Sequence, residues 1–97
     1  MSWLDDFAAA AQERLGARER EAAWARGVSE SQINTFRVGY IDRVFSGAPP
    51  DFVRFSKGGA RLDDSFVLPL TNVLGQIKGL QFRHVSPEVR GYQTYYA

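Results

Sequence analysis

The stretch that decides the fold lies in the last third of the chain, Ser65-Phe-Val-Leu-Pro-Leu-Thr-Asn-Val-Leu-Gly75-Gln-Ile-Lys-Gly79-Leu-Gln-Phe-Arg83. It holds two apolar runs of strand length separated by a polar segment with a glycine, which is typical of a β-hairpin. Because side chains alternate along a strand, Leu80 and Phe82 project to one side and Gln81 and Arg83 to the other. The pattern predicts a hairpin with one packed face and one polar face.

Three residues of this hairpin have a specific expected role. Pro69 cannot donate a ladder hydrogen bond, which predicts an edge or strand-end position. Gly79 either leaves room for a group to approach the backbone or marks a bulge or bend, and the sequence leaves both open. His84 could touch phosphate or act as an acid, but we expect a plain surface or strand-end histidine, since no serine, cysteine or carboxylate stands at a motif spacing that would recruit it as a base.

Upstream of the hairpin the sequence predicts three helices. The first is amphipathic, has Ser2 as its N-cap and ends at Gly16. The second covers residues 17–26 and stops at Gly27, a natural left-handed C-terminal position. Its arginines, Arg26 among them, alternate with glutamates, which is typical of a solvated helix face.

The third helix is short and is expected to end before Gly39. Ser29 and Gln32 are spaced as a capping box at its start. Ile33 and Phe36 lie three residues apart, so both are expected on the face that anchors the helix to the core.

A connection follows over residues 41–51, where Gly47, Pro49 and Pro50 argue against regular helix. The alternation in Phe52-Val-Arg-Phe55, ahead of Gly58-Gly59, predicts a short strand and a turn. No stretch has the length or polarity of an interdomain linker. We therefore predict a single α+β domain over residues 1–97, with a helical half at 1–40 packed on a small, mainly antiparallel sheet from a strand half at 52–97.

Composition narrows the class of protein. The chain has 97 residues, 44% of them apolar and 13% aromatic, which favours a folded domain over a disordered segment. With no cysteine and one histidine, a disulfide framework, a thiolate zinc site and a thiol nucleophile are excluded. No apolar run has the length of an export signal or a membrane span, so we expect a soluble, cytoplasmic protein without membrane contact.

The formal net charge is only +1, but the C-terminal half is the more basic one. From residue 46 onward there are six cations and four acids. The cations are Arg54, Lys57, Arg61, Lys78, Arg83 and Arg90. They fit either solvated strand edges or phosphate contacts. Tyr92, Tyr95 and Tyr96 in the tail fit either packing on the sheet or stacking on nucleotide bases.

Two motifs resemble a known family. The segment Ala23-Trp-Ala-Arg-Gly-Val-Ser29, followed by Ile33 and by Phe36-x-Val-Gly-Tyr40, resembles a pattern of bacterial-type DNA primases: Tyr-Leu-x-x-Arg-Gly-Leu-Ser, then Ile, then Phe-x-Leu-Gly-Tyr. The hairpin resembles the primase segment in which Phe-Pro-Ile runs through a turn into Gly-x-x-x-Gly-Phe-x-x-Arg. Together they cover roughly residues 20 to 92, in the order that the family has.

This resemblance implies the N-terminal subdomain of the primase RNA-polymerase core, which contributes basic residues to the path of single-stranded template DNA. Arg61 and Arg83 match family arginines, and Tyr92 matches the tyrosine of the Lys-Tyr-Leu-Asn-Ser motif. We expect these three as the main contacts, with Arg54, Lys57 and Lys78 as neighbouring phosphate ligands.

The departures from the family pattern weaken its basic groove. Asp63 and Ser65 stand where arginines are usual, Gly91 replaces the lysine, and Gln93-Thr94 replaces Leu-Asn. They favour a divergent, plasmid- or phage-like member.

In the family, nucleotidyl transfer belongs to a following Toprim module that binds magnesium. Asp5-Asp6 and Asp63-Asp64 are adjacent pairs and not the metal motif of that module. We therefore expect no cofactor in this chain, magnesium only in a separate Toprim module, and no polymerase activity of the isolated chain.

Two functions from different classes follow. The first is a primase subdomain or split-primase subunit that binds template during primer synthesis. The alternative is a protein-interaction module that docks a replicative helicase or a Toprim subunit at a replication fork. A free-standing enzyme is not favoured, since no nucleophile–base pair, metal-ligand set or phosphate loop is present.

Overall fold

The computed structural model describes residues 3–43, 48–57 and 62–97. In these ranges it has four helices and one four-stranded antiparallel sheet, so the α+β prediction is confirmed. The elements, in chain order, are α1 Trp3–Glu13, α2 Ala17–Ala25, α3 Glu30–Thr35, β1 Gly39–Ile41, α4 Pro50–Lys57, β2 Ser65–Thr71, β3 Ile77–His84 and β4 Gln93–Tyr96. None of these helices is long and apolar enough to cross a membrane.

The sheet has the order β1-β2-β3-β4, with the predicted hairpin β2–β3 at its centre. Phe66 pairs with Arg83, Val67 with Phe82 and Leu68 with Gln81. The short strand β1 pairs only with Ser65–Val67, so among the described residues the second half of β2 has β3 as its one neighbour. Pro69 lies in that half, which agrees with the edge position expected of it.

One face of the sheet carries the main core. Val67, Leu80 and Phe82 are almost fully buried there, as the strand alternation predicts. They pack with residues of two helices: Leu4, Phe7, Ala8 and Ala11 of α1 and Phe52 of α4. Rings dominate the contact, since Phe52 lies 5.5 Å from Phe7 and 5.9 Å from Phe82, measured between centroids.

The opposite face carries a smaller core below α2 and α3. Phe66 meets Ala23 of α2 and Ile33 of α3, together with Leu15, Val38 and Val85. On β2 this core includes Phe66, and Leu68 packs against it.

Both predicted helix boundaries around Gly27 and Ser29 are confirmed. Gly27 has a φ of +88°, which favours glycine after the end of α2. Ser29 Oγ accepts a hydrogen bond from the Gln32 backbone N–H, and Gln32 Oε1 accepts one from the Ser29 N–H. Ser2, the predicted cap of α1, lies outside the described residues.

The strand predicted at Phe52–Phe55 is wrong, because this segment is the middle of α4. Pro50 occupies the first helical position, where its missing N–H has no helical partner to lose. Asp51 in the first turn and Arg54 and Lys57 in the last turn complement the helix dipole. Phe52 and Phe55 are three residues apart, so they lie on one face of a helix but would lie on opposite faces of a strand. Gly47 and the predicted turn Gly58-Gly59 lie outside the described residues.

Both interpretations of Gly79 have a counterpart in the structure. The β2–β3 register shifts by one residue beside it, since Leu70 pairs with Gly79 and Thr71 with Ile77. A Cβ on Gly79 would also lie 2.5 Å from the Tyr95 carbonyl oxygen. The group that approaches the backbone is therefore the neighbouring strand β4 of the same chain.

Gly39 lets α1 lie directly on β1, which generates a stability prediction. A Cβ there would lie 2.6 Å from the Ala11 carbonyl carbon and 2.8 Å from the Gln12 nitrogen, both backbone atoms. We expect Gly39→Ala to lower the free energy of unfolding by about 1–3 kcal/mol through overpacking, measured by urea titration. As control, Gly16→Ala places its Cβ 3.2 Å from the movable end of Glu19 and should cost clearly less. Equal losses in the two variants would contradict this account of the contact.

Tyr95 gives a pH prediction. Its hydroxyl donates to Asp51 Oδ2 at 2.5 Å, and burial together with this bond raises the pKa of Tyr95 to about 12. The phenol of the unfolded chain loses its proton near pH 10. The contribution of Tyr95 to the free energy of unfolding is therefore full below pH 10 and decreases as the pH rises toward 12. We expect Tyr95→Phe to be less stable at pH 8 but to lose less stability between pH 10 and 12. Part of the decline should persist, since burial and Asp64 also raise the pKa of Tyr40 to about 12. An unchanged decline in the variant would be inconsistent with this assignment.

Candidate functional site

A groove of about 790 Å³ lies between the α2–α3 pair and the partly covered face of the sheet. Its floor is apolar and consists mainly of Phe66 and Leu68 of β2, while Val28 and Val38 contribute from the helix side. Polar side chains surround this floor. They are Arg26, Gln32, Gln81, Arg83 and Arg90.

The strand register explains why the groove has both an apolar floor and polar side chains around it. Phe66 is paired with Arg83 and Leu68 with Gln81, so an apolar and a polar side chain stand side by side on the same face. This is the face on which the sequence placed Gln81 and Arg83. An apolar floor beside polar groups suits a flat ligand that also carries charge.

The groove is strongly positive. Arg26, Arg83 and Arg90 are among the described residues that line it, and no aspartate or glutamate is. Across the described part of the chain, the Arg83 side chain has no hydrogen bond or ion pair, so it is not neutralised by Glu88 or Asp64. Asp64 instead accepts hydrogen bonds from Arg18 and Tyr40, at 2.5 and 2.6 Å. The groove therefore attracts anions.

Arg26 is a structural clamp as well as a groove cation, which corrects its expected place on a solvated face. One guanidinium nitrogen, Nη2, donates to the carbonyls of His84 and Val85, at 3.0 and 2.8 Å. Its guanidinium also lies 5.8 Å from the centre of the Phe66 ring, within cation–π range. Burial, and then repulsion by Arg83, lower the pKa of Arg26. Its charge is thus held in place without a carboxylate partner among the described residues.

Phe36 is exposed and not part of the core. It was expected to anchor α3 beside Ile33, but its side chain is 59% exposed whereas that of Ile33 is 2% exposed. The reason is local: α3 ends at Thr35, Phe36 is its C-cap, and Arg37 turns the chain with a φ of +52°. Phe36 therefore lies at the very end of α3, where its side chain stays exposed although its N–H still donates to the Gln32 carbonyl at 2.9 Å. Phe36 lines the groove instead.

The structure separates the six predicted contacts. Arg83 lines the groove. Arg54 and Lys57 are exposed on α4, which packs through Phe52 on the other face of the sheet. Lys78 is exposed on β3. The fifth contact, Arg61, lies outside the described residues.

Tyr92, the sixth, is 61% exposed and directly follows Arg90 and Gly91, both of which line the groove. Arg26 and Phe36 were not predicted as contacts, and Arg90 was named only among the cations that fit either strand edges or phosphate contacts. Their proximity depends on how α2, α3 and the segment after β3 pack together, for which the chain has no local signal.

His84 has a structural role consistent with the expectation for it. It is buried, and its Nδ1 accepts the Ser86 backbone N–H at 3.0 Å in the turn after β3. In the described ranges, no group of three or more histidine, aspartate or glutamate side chains is placed to hold a metal ion.

The fold is shared with primase structures. A structure of the DnaG catalytic core matches with a TM-score of 0.71 and 19% identity, covering 97% of this chain and 36% of that one. The DnaG primase catalytic domain bound to ssDNA matches with a TM-score of 0.69 and 20% identity, covering 95% of this chain and 35% of the other. The E. coli primase catalytic core matches with a TM-score of 0.69 and 16% identity, covering 97% and 37%.

These comparisons confirm the primase-like fold that the sequence motifs predicted. The chain spans about a third of the length of each of these structures. No protein-family model and no curated protein matches the sequence. At identities of 16–20% the likeness establishes the fold, and activity has to be argued from the site.

The repulsion between Arg26 and Arg83 predicts that these two charges lower the free energy of unfolding. Replacing Arg83 with glutamine removes a charge that disfavours the protonated Arg26, so we expect the urea midpoint of Arg83→Gln to rise slightly. Added salt should shrink the difference, because it screens the repulsion. Arg54→Gln is the matched control, because it removes a charge that attracts Asp51. Its urea midpoint should be equal to or below that of the native chain. A lower midpoint for Arg83→Gln would refute this electrostatic interpretation.

Proposed function

We propose that this chain is a primase-core fragment that holds single-stranded template DNA in the arginine-lined groove. The observation that carries the proposal is the convergence of three arginines, with no acid among the described lining residues, on an apolar floor. Support comes from the shared fold, since one structure with this fold is a primase catalytic domain bound to ssDNA. A strand of nucleic acid offers the phosphates and the flat bases that such a groove suits.

In this proposal the contribution of the chain is positional. Arg83 and Arg90 neutralise phosphates, and Arg26, fixed by two carbonyls, offers its remaining guanidinium donors to a phosphate. Phe66 and Leu68 exclude water below the sugars and bases. Among the contacts predicted from sequence, we retain Arg83, Tyr92 and Arg61, and assign Arg54 and Lys57 to the opposite face of the sheet.

We further propose that the chemistry of primer synthesis belongs to a separate Toprim module that binds magnesium. The isolated chain would then bind template without joining nucleotides. The weakened basic pattern at Asp63, Ser65 and Gly91 favours a phage- or plasmid-type replication protein that acts in the cytoplasm beside a replicative helicase.

Template binding can be measured by fluorescence anisotropy of a labelled single-stranded oligonucleotide between about 50 and 200 mM salt. Three phosphate contacts at about 0.7 each predict a slope of log affinity against log salt near −2. We expect the Arg83→Gln, Arg90→Gln double variant to bind weakly, with a slope nearer −0.7. The Arg54→Gln, Lys57→Gln variant removes the same charge from α4 and should behave like the native chain.

Three outcomes would count against this assignment. Loss of binding in the α4 variant alone would move the template path to the other face. A slope near zero in the native chain would exclude phosphate neutralisation. If neither the native chain nor the α4 variant binds the oligonucleotide while both remain folded by circular dichroism, the second candidate function described below is favoured.

That second candidate is a module that docks a helicase or a Toprim subunit, and the β2–β3 turn favours it. Val73 and Leu74 at this turn are 102% and 78% exposed. The turn is ordered, because Asn72 Oδ1 accepts the backbone N–H groups of Leu74 and Gln76, at 2.9 and 3.0 Å. Two apolar side chains presented on a fixed turn suit a protein partner.

A further inference from the structure

The groove continues onto an open area of the sheet that the helices do not cover. By strand alternation, Leu70 of β2, Gly79 of β3 and Tyr96 of β4 share the face of Phe66 and Arg83. The core under α2 and α3 includes Phe66 and contacts Leu68, and Leu70 belongs to neither core. We call Leu70, Gly79 and Tyr96 the open sheet face. Gln81, which lines the groove, lies next to it on β3.

Tyr96 lies over Gly79 on this face. A Cβ at Gly79 would meet Tyr96 Cδ1 at 3.3 Å and Leu70 Cδ1 at 3.6 Å, so the ring occupies the space that a side chain would fill. The register pairs Gly79 with Tyr96, and the Ala97 N–H donates to the Lys78 carbonyl at 3.1 Å. The Tyr96 side chain is nevertheless 73% exposed. The adjacent Tyr95 points to the opposite face, where it is 6% exposed.

Phe36 supplies a second exposed ring, at the helix side of the groove. Its backbone is fixed at the C-cap of α3, where its N–H donates to the Gln32 carbonyl at 2.9 Å. Tyr96 lies beside Gly79, four residues along β3 from Arg83, which corresponds to about 13 Å. The arginine groove therefore has exposed rings both within it and beyond its sheet end.

We propose that Phe36 and Tyr96 are stacking platforms for two nucleobases of a single strand whose phosphates contact Arg83 and Arg90. This inference rests on the proposed template-binding function and adds to it the recognition of bases. Aromatic stacking is tolerant of sequence, because every base has a π-face.

Charge decides between a nucleic acid and a peptide as the occupant. The described lining of the groove has three arginines and no acid, which complements a polyanion. Gln81 stands between the groove and Tyr96, and its amide offers both donors and an acceptor to the edge of a base. An apolar peptide would offer these arginines no anionic partner.

The test compares two oligonucleotides with equal numbers of phosphates, one of thymidines and one of abasic residues. We expect the native chain to bind the thymidine strand on the order of a hundredfold more tightly, with about tenfold from each of the two platforms. Tyr96→Ser and Phe36→Ser should each weaken binding of the thymidine strand on the order of tenfold and leave binding of the abasic strand unchanged. Tyr96→Phe should retain native affinity. Trp24→Ser removes an exposed ring that does not line the groove and should bind both strands like the native chain.

The outcomes separate this inference from the proposed function. Equal, salt-dependent binding of both strands by the native chain would leave phosphate binding intact and overturn base stacking. Binding of neither strand would overturn both. Loss of thymidine preference in Tyr92→Ser but not in Tyr96→Ser would also refute the platform, because it would assign stacking to the tyrosine outside the open sheet face. Urea midpoints within the native range show that each variant remains folded.

Discussion

Pairing of β2 with β3 is the constraint on which the rest of the structure depends. Because Val67 faces Phe82 on one side of the sheet and Phe66 stands beside Arg83 on the other, a single register defines both the main core and the groove. A slip of one residue would exchange these two sets of side chains. It would bury Arg83 under α1 and α4 without a partner, which is strongly unfavourable. The charge on the polar face therefore helps to specify the register that positions it.

Arg26 links stability to the proposed function. It joins the end of α2 to the carbonyls of His84 and Val85, so the groove wall depends on it. Its charge is partly desolvated and is repelled by Arg83, an arrangement that an apolar side chain would avoid. A phosphate bound between the two arginines would attract both guanidinium groups and so offset their mutual repulsion. Local destabilisation of this kind is expected where a protein binds a charged ligand.

Local patterns predicted much of the fold, whereas the site needed tertiary packing. The capping box at Ser29, the left-handed Gly27 and the alternation around Leu80 each depend on neighbouring residues and were predicted. The α4 helix was missed because Pro49 and Pro50 argue against a helix interior, whereas Pro50 occupies the first helical position, which tolerates proline. Phe36 was placed in the core because the spacing from Ile33 does not show that α3 stops one residue earlier. The groove was not predicted as a unit, since its arginines come from α2, β3 and the segment after β3.

The length of α3 determines how much of the sheet remains accessible. The helix has six residues, and the chain leaves it at Phe36 through the left-handed Arg37. One further turn would extend it by about 5 Å. The chain would then reach β1 later, although β1 must start at Gly39, where α1 lies in direct contact with the strand. Close packing of α1 on Gly39 thus keeps α3 short. The same contact that stabilises the main core leaves the groove and the open sheet face uncovered on the other side.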